Sequence, residues 1–331
     1  MGEPHMQEAQ VIPLRSPAQR RRMGNGRAVA RPVPDTRPPV EPTPLHPRPE
    51  PTGIRQSLAD ALGFVRKRLA GDYSVDEFGF DPQLTDNVLM PPLKVLYDKW
   101  FRVEARGTEN LPADGGALVV SNHSGTLPVD SVMTAIAVHE NTATSRHLRM
   151  LGADLVFQIP VLGALARKTG QTLACMADAE RLLRSGEIVG VWPEGFKGVG
   201  KPFKDRYKLQ RFGRGGFVAA ALRTGVPIIP VSVVGAEEIY PKIGEVKPLA
   251  RLLGLPYFPI TPTWPLLGPL GAVPLPSKWY IEFGSPIRTD EHDPADADDP
   301  AVVFNLTDQV RETIQQTIYR LLDQRPGVFR G

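Results

Sequence analysis

From Phe101 onward, short apolar clusters alternate with stretches in which apolar residues recur every three to four positions. The clusters predict strands over 117–120, 148–151, 172–175, 188–192, 228–234 and 279–283. The intervening periodic stretches predict helices over 129–138, 162–168, 179–184 and 215–223. A last helix is expected over 302–322, with Val303, Leu306, Val310, Ile314, Ile318 and Leu321 along one face. The alternation of strands and helices predicts a single layered α/β domain with a largely parallel central sheet flanked by helices.

Upstream, Leu58, Leu62, Val65 and Leu69 also recur at helical spacing, with Arg66, Lys67 and Arg68 between them, and a second helix is expected over 93–100. These amphipathic helices, within 53–100, can pack into a core or lie on a membrane surface. Residues 1–52 have proline at roughly one position in four, the run Arg20-Arg21-Arg22 and no apolar period. That composition predicts a disordered tail. The resulting division is a tail to 52, helices over 53–100, an α/β domain over 101–290, and a C-terminal helix and tail over 291–331.

Residues 1–50 hold eight arginines and five acidic residues, which accounts for the whole net charge of +3. The body is balanced, so a nucleic-acid partner is not expected. One cysteine, Cys175, excludes an internal disulfide and a cysteine-only metal site. The charged, proline-rich N-terminus has no apolar core of a secretory signal. Between Arg251 and Lys278 lie 26 residues without a charge, broken by seven prolines. A lipid-exposed span could not satisfy its backbone with so many donors missing. This segment is expected to be an apolar loop, packed on the domain or dipped into a membrane interface by Tyr257, Phe258 and Trp264.

Three motifs compete for the chemistry. Gly195 to Lys201 fits the G-x-x-x-x-G-K spacing of a phosphate-cradling loop, but Pro202 stands where that loop needs a Ser or Thr hydroxyl for Mg²⁺. No G-x-S-x-G elbow is present. His123 follows the apolar 117–120 cluster, at the strand end where α/β proteins place ligands, and Asp130 opens the next helix. A carboxylate that orients one imidazole nitrogen leaves the other to accept a proton from a hydroxyl. The remaining histidines of the body, His139, His147 and His292, have no evident partner in the sequence.

Four blocks in order, over roughly residues 100 to 235, resemble the glycerophospholipid acyltransferase family. They are Asn122-His123 with Asp130, Pro160 to Gly163 through Thr169-Gly170, Trp192-Pro193-Glu194-Gly195, and Val226 to Val231. The resemblance implies an acyltransferase fold with His123 as general base and Asp130 as its orienting carboxylate. It also implies Glu194, with Asn122 and Gly195, at the acceptor, and Lys197 in the basic loop behind it. Lys201, Lys204 and Arg206 continue that loop as candidate phosphate contacts. The donor implied is acyl-CoA or an acyl-carrier protein, the acceptor a lysophosphatidic acid or lysophospholipid, and neither cofactor nor metal is required. Such an enzyme would sit peripherally on the cytoplasmic face of a membrane.

Two departures stand out. Six residues separate His123 from Asp130 where the family has four, and Leu173-Ala174-Cys175-Met176 stand where the second block ends in a phosphate-binding arginine. The missing arginine keeps open a neutral mono- or diacylglycerol acceptor. A lipid-binding protein that retains the fold without turnover is the remaining alternative.

Overall fold

The computed structural model describes residues 63–159 and 161–330. The chain forms two units, residues 1–69 and residues 70–331. In the first, residues 63–69 are helical; the expected tail and the start of the first amphipathic helix lie outside the described residues.

The second unit is built on a seven-stranded sheet. Its strands are β1 (Glu104–Arg106), β2 (Ala117–Ser121), β3 (Leu148–Gly152), β4 (Thr172–Leu173), β5 (Ile188–Val191), β6 (Ile228–Val234) and, after a small hairpin of β7 (Gly244–Glu245) and β8 (Pro259–Ile260), β9 (Tyr280–Phe283). The spatial order is β1-β9-β6-β2-β5-β3-β4. Five of its six pairings are parallel; only β9 runs against its neighbour β6. The chain leaves β2 toward β3 on one side and later crosses to β6 on the other, so the winding reverses at β2. Side chains projecting beyond the carboxyl ends of β2, β5 and β6 therefore meet over a crevice.

Alternation along the strands divides the core in two. Leu118 and Val120 of β2 face α2 (Met176–Arg184), α3 (Gly216–Thr224) and α4 (Pro300–Gln324). Ala117 and Val119 face α1 (Val129–Asn141), through Met133, Ile136 and Ala137. Every apolar position expected along the C-terminal helix is buried. Asp299 caps that helix by accepting from Ala301 N at 2.8 Å, with Pro300 at the first turn where no donor is needed.

The helix expected over 93–100 is longer: the run 82–100 is helical throughout, with two π-helical turns. Asp81 caps its start through Leu84 N at 3.0 Å. Pro91 and Pro92 cannot donate hydrogen bonds in its middle, and a wider turn precedes them. Tyr97 is buried, and Met90, Leu93 and Leu96 pack on the α1 side of the sheet. The uncharged loop is partly structured. Tyr257 donates to Thr126 O at 2.5 Å, and Trp100 Nε1 donates to Pro274 O at 2.9 Å. Leu252, Leu266 and Leu270 remain exposed. Among the described residues no helix is long and apolar enough to cross a membrane.

Ile314 is fully buried at the middle of α4. Ile314→Ala should destabilise the protein by about 2–5 kcal/mol through lost burial and the cavity left behind. Urea unfolding with unchanged slope would report it.

Candidate active site

The site begins where β2 ends. The Asn122 amide pairs with the backbone of the next strand: Oδ1 accepts from Val233 N at 2.7 Å and Nδ2 donates to Val233 O at 3.0 Å. Its side chain is buried and both ends of the amide are engaged, so the expected acceptor contact is replaced by a clamp that fixes the loop's departure from the sheet. His123 follows. Its Nδ1 donates to Asp130 Oδ2 at 2.8 Å. The same oxygen accepts from Ser124 N at 2.8 Å, and Oδ1 accepts from Ser131 N at 2.9 Å. The Asp130 side chain is wholly buried, while the His123 ring keeps a little exposure. An acceptor on Nδ1–H fixes the tautomer and leaves Nε2 with its lone pair free for a proton.

The six-residue separation closes because the turn between the pair is folded back against the segment that follows β6. Gly125 has φ +96°, and a Cβ there would lie 2.7 Å from Ala236 O. Thr126 also has positive φ, held by its hydroxyl on Tyr240 O at 2.9 Å.

Glu194 enters from the end of β5. Its Oε1 accepts from His123 N at 2.9 Å and its Oε2 from Gln210 N at 2.6 Å. The carboxylate is buried. The expectation that it touches the acceptor is corrected: it ties the histidine loop to the segment after β5 and holds His123 in place. Gly195 adopts φ +54° and ψ −145°, which only glycine enters readily, although a side chain there would meet no atom. A single helical turn, Phe196–Val199, follows where continuous loop was expected.

The basic segment splits into two populations. Lys197, Lys204 and Arg206 are exposed, with Arg206 stacked 4.6 Å from the Phe203 ring. Lys201 is not available to a substrate phosphate. Its ammonium is buried, 3.1 Å from Glu237 Oε1, 3.2 Å from Lys208 O and 3.6 Å from Glu194 Oε2. Burial pushes the Glu237 carboxyl up from 4.5 to about 7, with Lys201 opposing the shift. Two carboxylates share one ammonium there, and desolvation favours the protonated form of one of them. The run of charges in sequence gave no sign of this, because Glu237 lies on a different element.

An apolar cavity of about 380 Å³ opens between the 82–100 helix, α1 and the segment before β4. Val132 and Ile136 form one wall, on the helix that starts with the catalytic-type carboxylate, and half-exposed Leu162 and Leu165 form part of the rim. Sequence patterning offered no means of placing it. The reading of His139 and His147 as unpartnered is also corrected. Both face Asp86, at 3.6 Å and 2.7 Å respectively. Burial, then the neighbouring His147, push the His139 imidazole below its usual range. His292 lies 3.3 Å from Asp296.

The acyltransferase family model matches residues 102–234. An uncharacterized protein of Mycobacterium tuberculosis is 60% identical over 281 residues, covering 85% of this chain and 78% of its own. A human protein named as a DGAT1/2-independent enzyme synthesizing storage lipids is 27% identical, over 58% of this chain and 55% of its own. A chloroplastic 1-acyl-sn-glycerol-3-phosphate acyltransferase of Arabidopsis thaliana is 26% identical, over 44% and 40%. The chain belongs to the acyltransferase family.

Lys201→Ala should leave two buried carboxylates without their ammonium and destabilise the fold by about 3–5 kcal/mol. Denaturant unfolding reports the loss. A variant of undiminished stability would mean that Lys201 does not hold the two loops together.

Proposed function

We propose that the protein transfers a fatty acyl group from acyl-CoA to a free hydroxyl of a glycerolipid, with a lysophosphatidic acid or lysophospholipid as the acceptor. The observation that carries this reading is the His123–Asp130 pair at the carboxyl end of the central strand, 2.8 Å apart within the family's motif. In the reaction, His123 Nε2 takes the proton of the acceptor hydroxyl as its oxygen attacks the thioester carbonyl. The tetrahedral intermediate collapses with cleavage of the C–S bond, and the departing CoA thiolate takes the proton back from the imidazolium. Asp130 stabilises the imidazolium between these steps without itself accepting the proton. Neither a covalent intermediate nor a metal takes part.

The acyl chain belongs in the apolar cavity beside α1, whose size suits an aliphatic ligand and whose rim carries Leu162 and Leu165. Lys197, Lys204 and Arg206 supply the positive field for a phosphate, on the acceptor or on CoA, in place of the arginine that the second block lacks. Exposed Leu252, Leu266 and Leu270 of the uncharged loop give a surface for lipid. The protein would then work peripherally, at the cytoplasmic face of a membrane. A neutral mono- or diacylglycerol acceptor is the second reading. It is favoured by the missing arginine and by the human relative's name.

Thiol release from palmitoyl-CoA, with a panel of acceptors, tests the reaction. The expected result is release that depends on a lysophospholipid or lysophosphatidic acid and falls at least about 10²-fold in His123→Ala, the usual scale for removing a general base. Undiminished release in that variant would remove the base assignment, and release with neutral glycerides alone would move the acceptor to the second reading. Lys197→Ala should raise KM for a phosphorylated acceptor about 3- to 10-fold and leave KM for a neutral one unchanged. Equal effects on the two acceptors would leave Lys197 as a solvated surface charge.

A further inference from the structure

At the far end of α1 from the catalytic pair, three metal-ligating side chains converge from three separate elements. Asp86 comes from the 82–100 helix, His139 from the last turn of α1, and His147 from the residue before β3. Their donor atoms all lie within 4.8 Å of one another. His147 Nε2 is 2.7 Å from Asp86 Oδ1, His139 Nε2 is 3.6 Å from the same oxygen, and the two imidazole centroids are 5.0 Å apart.

A hydrogen bond between Asp86 and His147 accounts for the short contact. It does not account for the second imidazole, whose Nε2 points at the same carboxylate oxygen from beyond hydrogen-bond range. A cation accounts for both. Ligands about 2.0–2.1 Å from a tetrahedral ion stand roughly 3.3 Å from each other, between the two distances found. The carboxylate is the most exposed of the three side chains and the imidazoles are mostly covered, so an ion can enter from the Asp86 side. Glu140 Oε1 lies 3.8 Å from His139 Nδ1, a buried nitrogen with no hydrogen-bond partner, and its other oxygen is ion-paired with Lys94.

We propose that Asp86, His139 and His147 bind a divalent first-row cation, Zn²⁺ foremost, through two imidazole nitrogens and one carboxylate oxygen, with a remaining position for water. The donor set is the borderline N/O combination that suits this ion. The ion is not part of the acyl-transfer chemistry. His139 follows Asp130 by nine residues of helix, about 14 Å along the axis. Its place is instead at the wall of the apolar cavity, which Thr85 and His147 both line. There it would fasten the 82–100 helix to α1 and β3 and hold that wall closed.

The test uses the full chain, stripped with a chelator and titrated with Co²⁺ while the visible ligand-field absorption is followed, with Zn²⁺ binding measured by equilibrium dialysis. One equivalent should bind, and Asp86→Asn and His139→Gln should each weaken binding by about 10- to 100-fold or more. His292→Gln, at a His–Asp contact away from both this cluster and the His123–Asp130 pair, should bind as the wild type does. Far-UV circular dichroism establishes that each variant is folded, and His147→Gln replaces either one that is not. No stoichiometric uptake by the wild type would overturn the proposal. So would undiminished binding in the folded variants, since the ion would then sit elsewhere.

Discussion

The Glu194 carboxylate is the contact on which the site is built. With one oxygen on His123 N and the other on Gln210 N, it joins the loop that leaves β2 to the loop that leaves β5. A buried carboxylate is costly unless its lone pairs are filled, and here backbone donors fill them while Lys201 supplies the counter-charge. The same ammonium engages Glu237, which lies just past the end of β6. Three strand ends are thereby tied together in a buried, hydrogen-bonded cluster. The imidazole is positioned from its backbone by Glu194 and from its ring by Asp130. In the proposed role of general base, a residue held at both ends needs little reorganisation when it takes a proton.

This arrangement explains why residues that look like substrate contacts in the sequence are supports in the structure. Asn122, Glu194 and Lys201 have their polar atoms directed at protein groups. Glycine permits the close fit: a Cβ at Gly198 would lie 2.7 Å from His123 O and 2.6 Å from Glu194 Cβ. What faces outward is simpler, namely the ring of His123, the exposed cations of the basic loop and an apolar cavity. The proposed transfer from a long-chain thioester to a lipid acceptor would use those three surfaces.

Much of this was legible in the sequence, because burial on a parallel sheet imposes continuous apolar runs and helices impose their own period. β6 and the helix Leu162–Lys168 fall where the pattern put them, and His123 and Asp130 meet across the longer turn. The reversal of β9 was not legible, since strand direction leaves no mark in side-chain alternation. The start of the 82–100 helix was hidden by Pro91 and Pro92, which a π-helical turn accommodates. Lys201 read as a candidate phosphate contact because neighbouring cations surround it in sequence, whereas its partner Glu237 is 36 residues away. His139 and His147 read as solitary for the same reason, with Asp86 more than fifty residues earlier in the chain.

The central claim is that Asp130 holds His123 in the tautomer that can act as a base. Steady-state kinetics of Asp130→Asn tests it most directly, since the amide keeps the shape of the carboxylate while removing its charge. The account predicts a fall in kcat on the order of 10²- to 10⁴-fold with KM little changed, as the imidazole loses its fixed tautomer and its counter-charge. A kcat near that of the wild type would contradict it and leave the pair a structural contact at the end of β2.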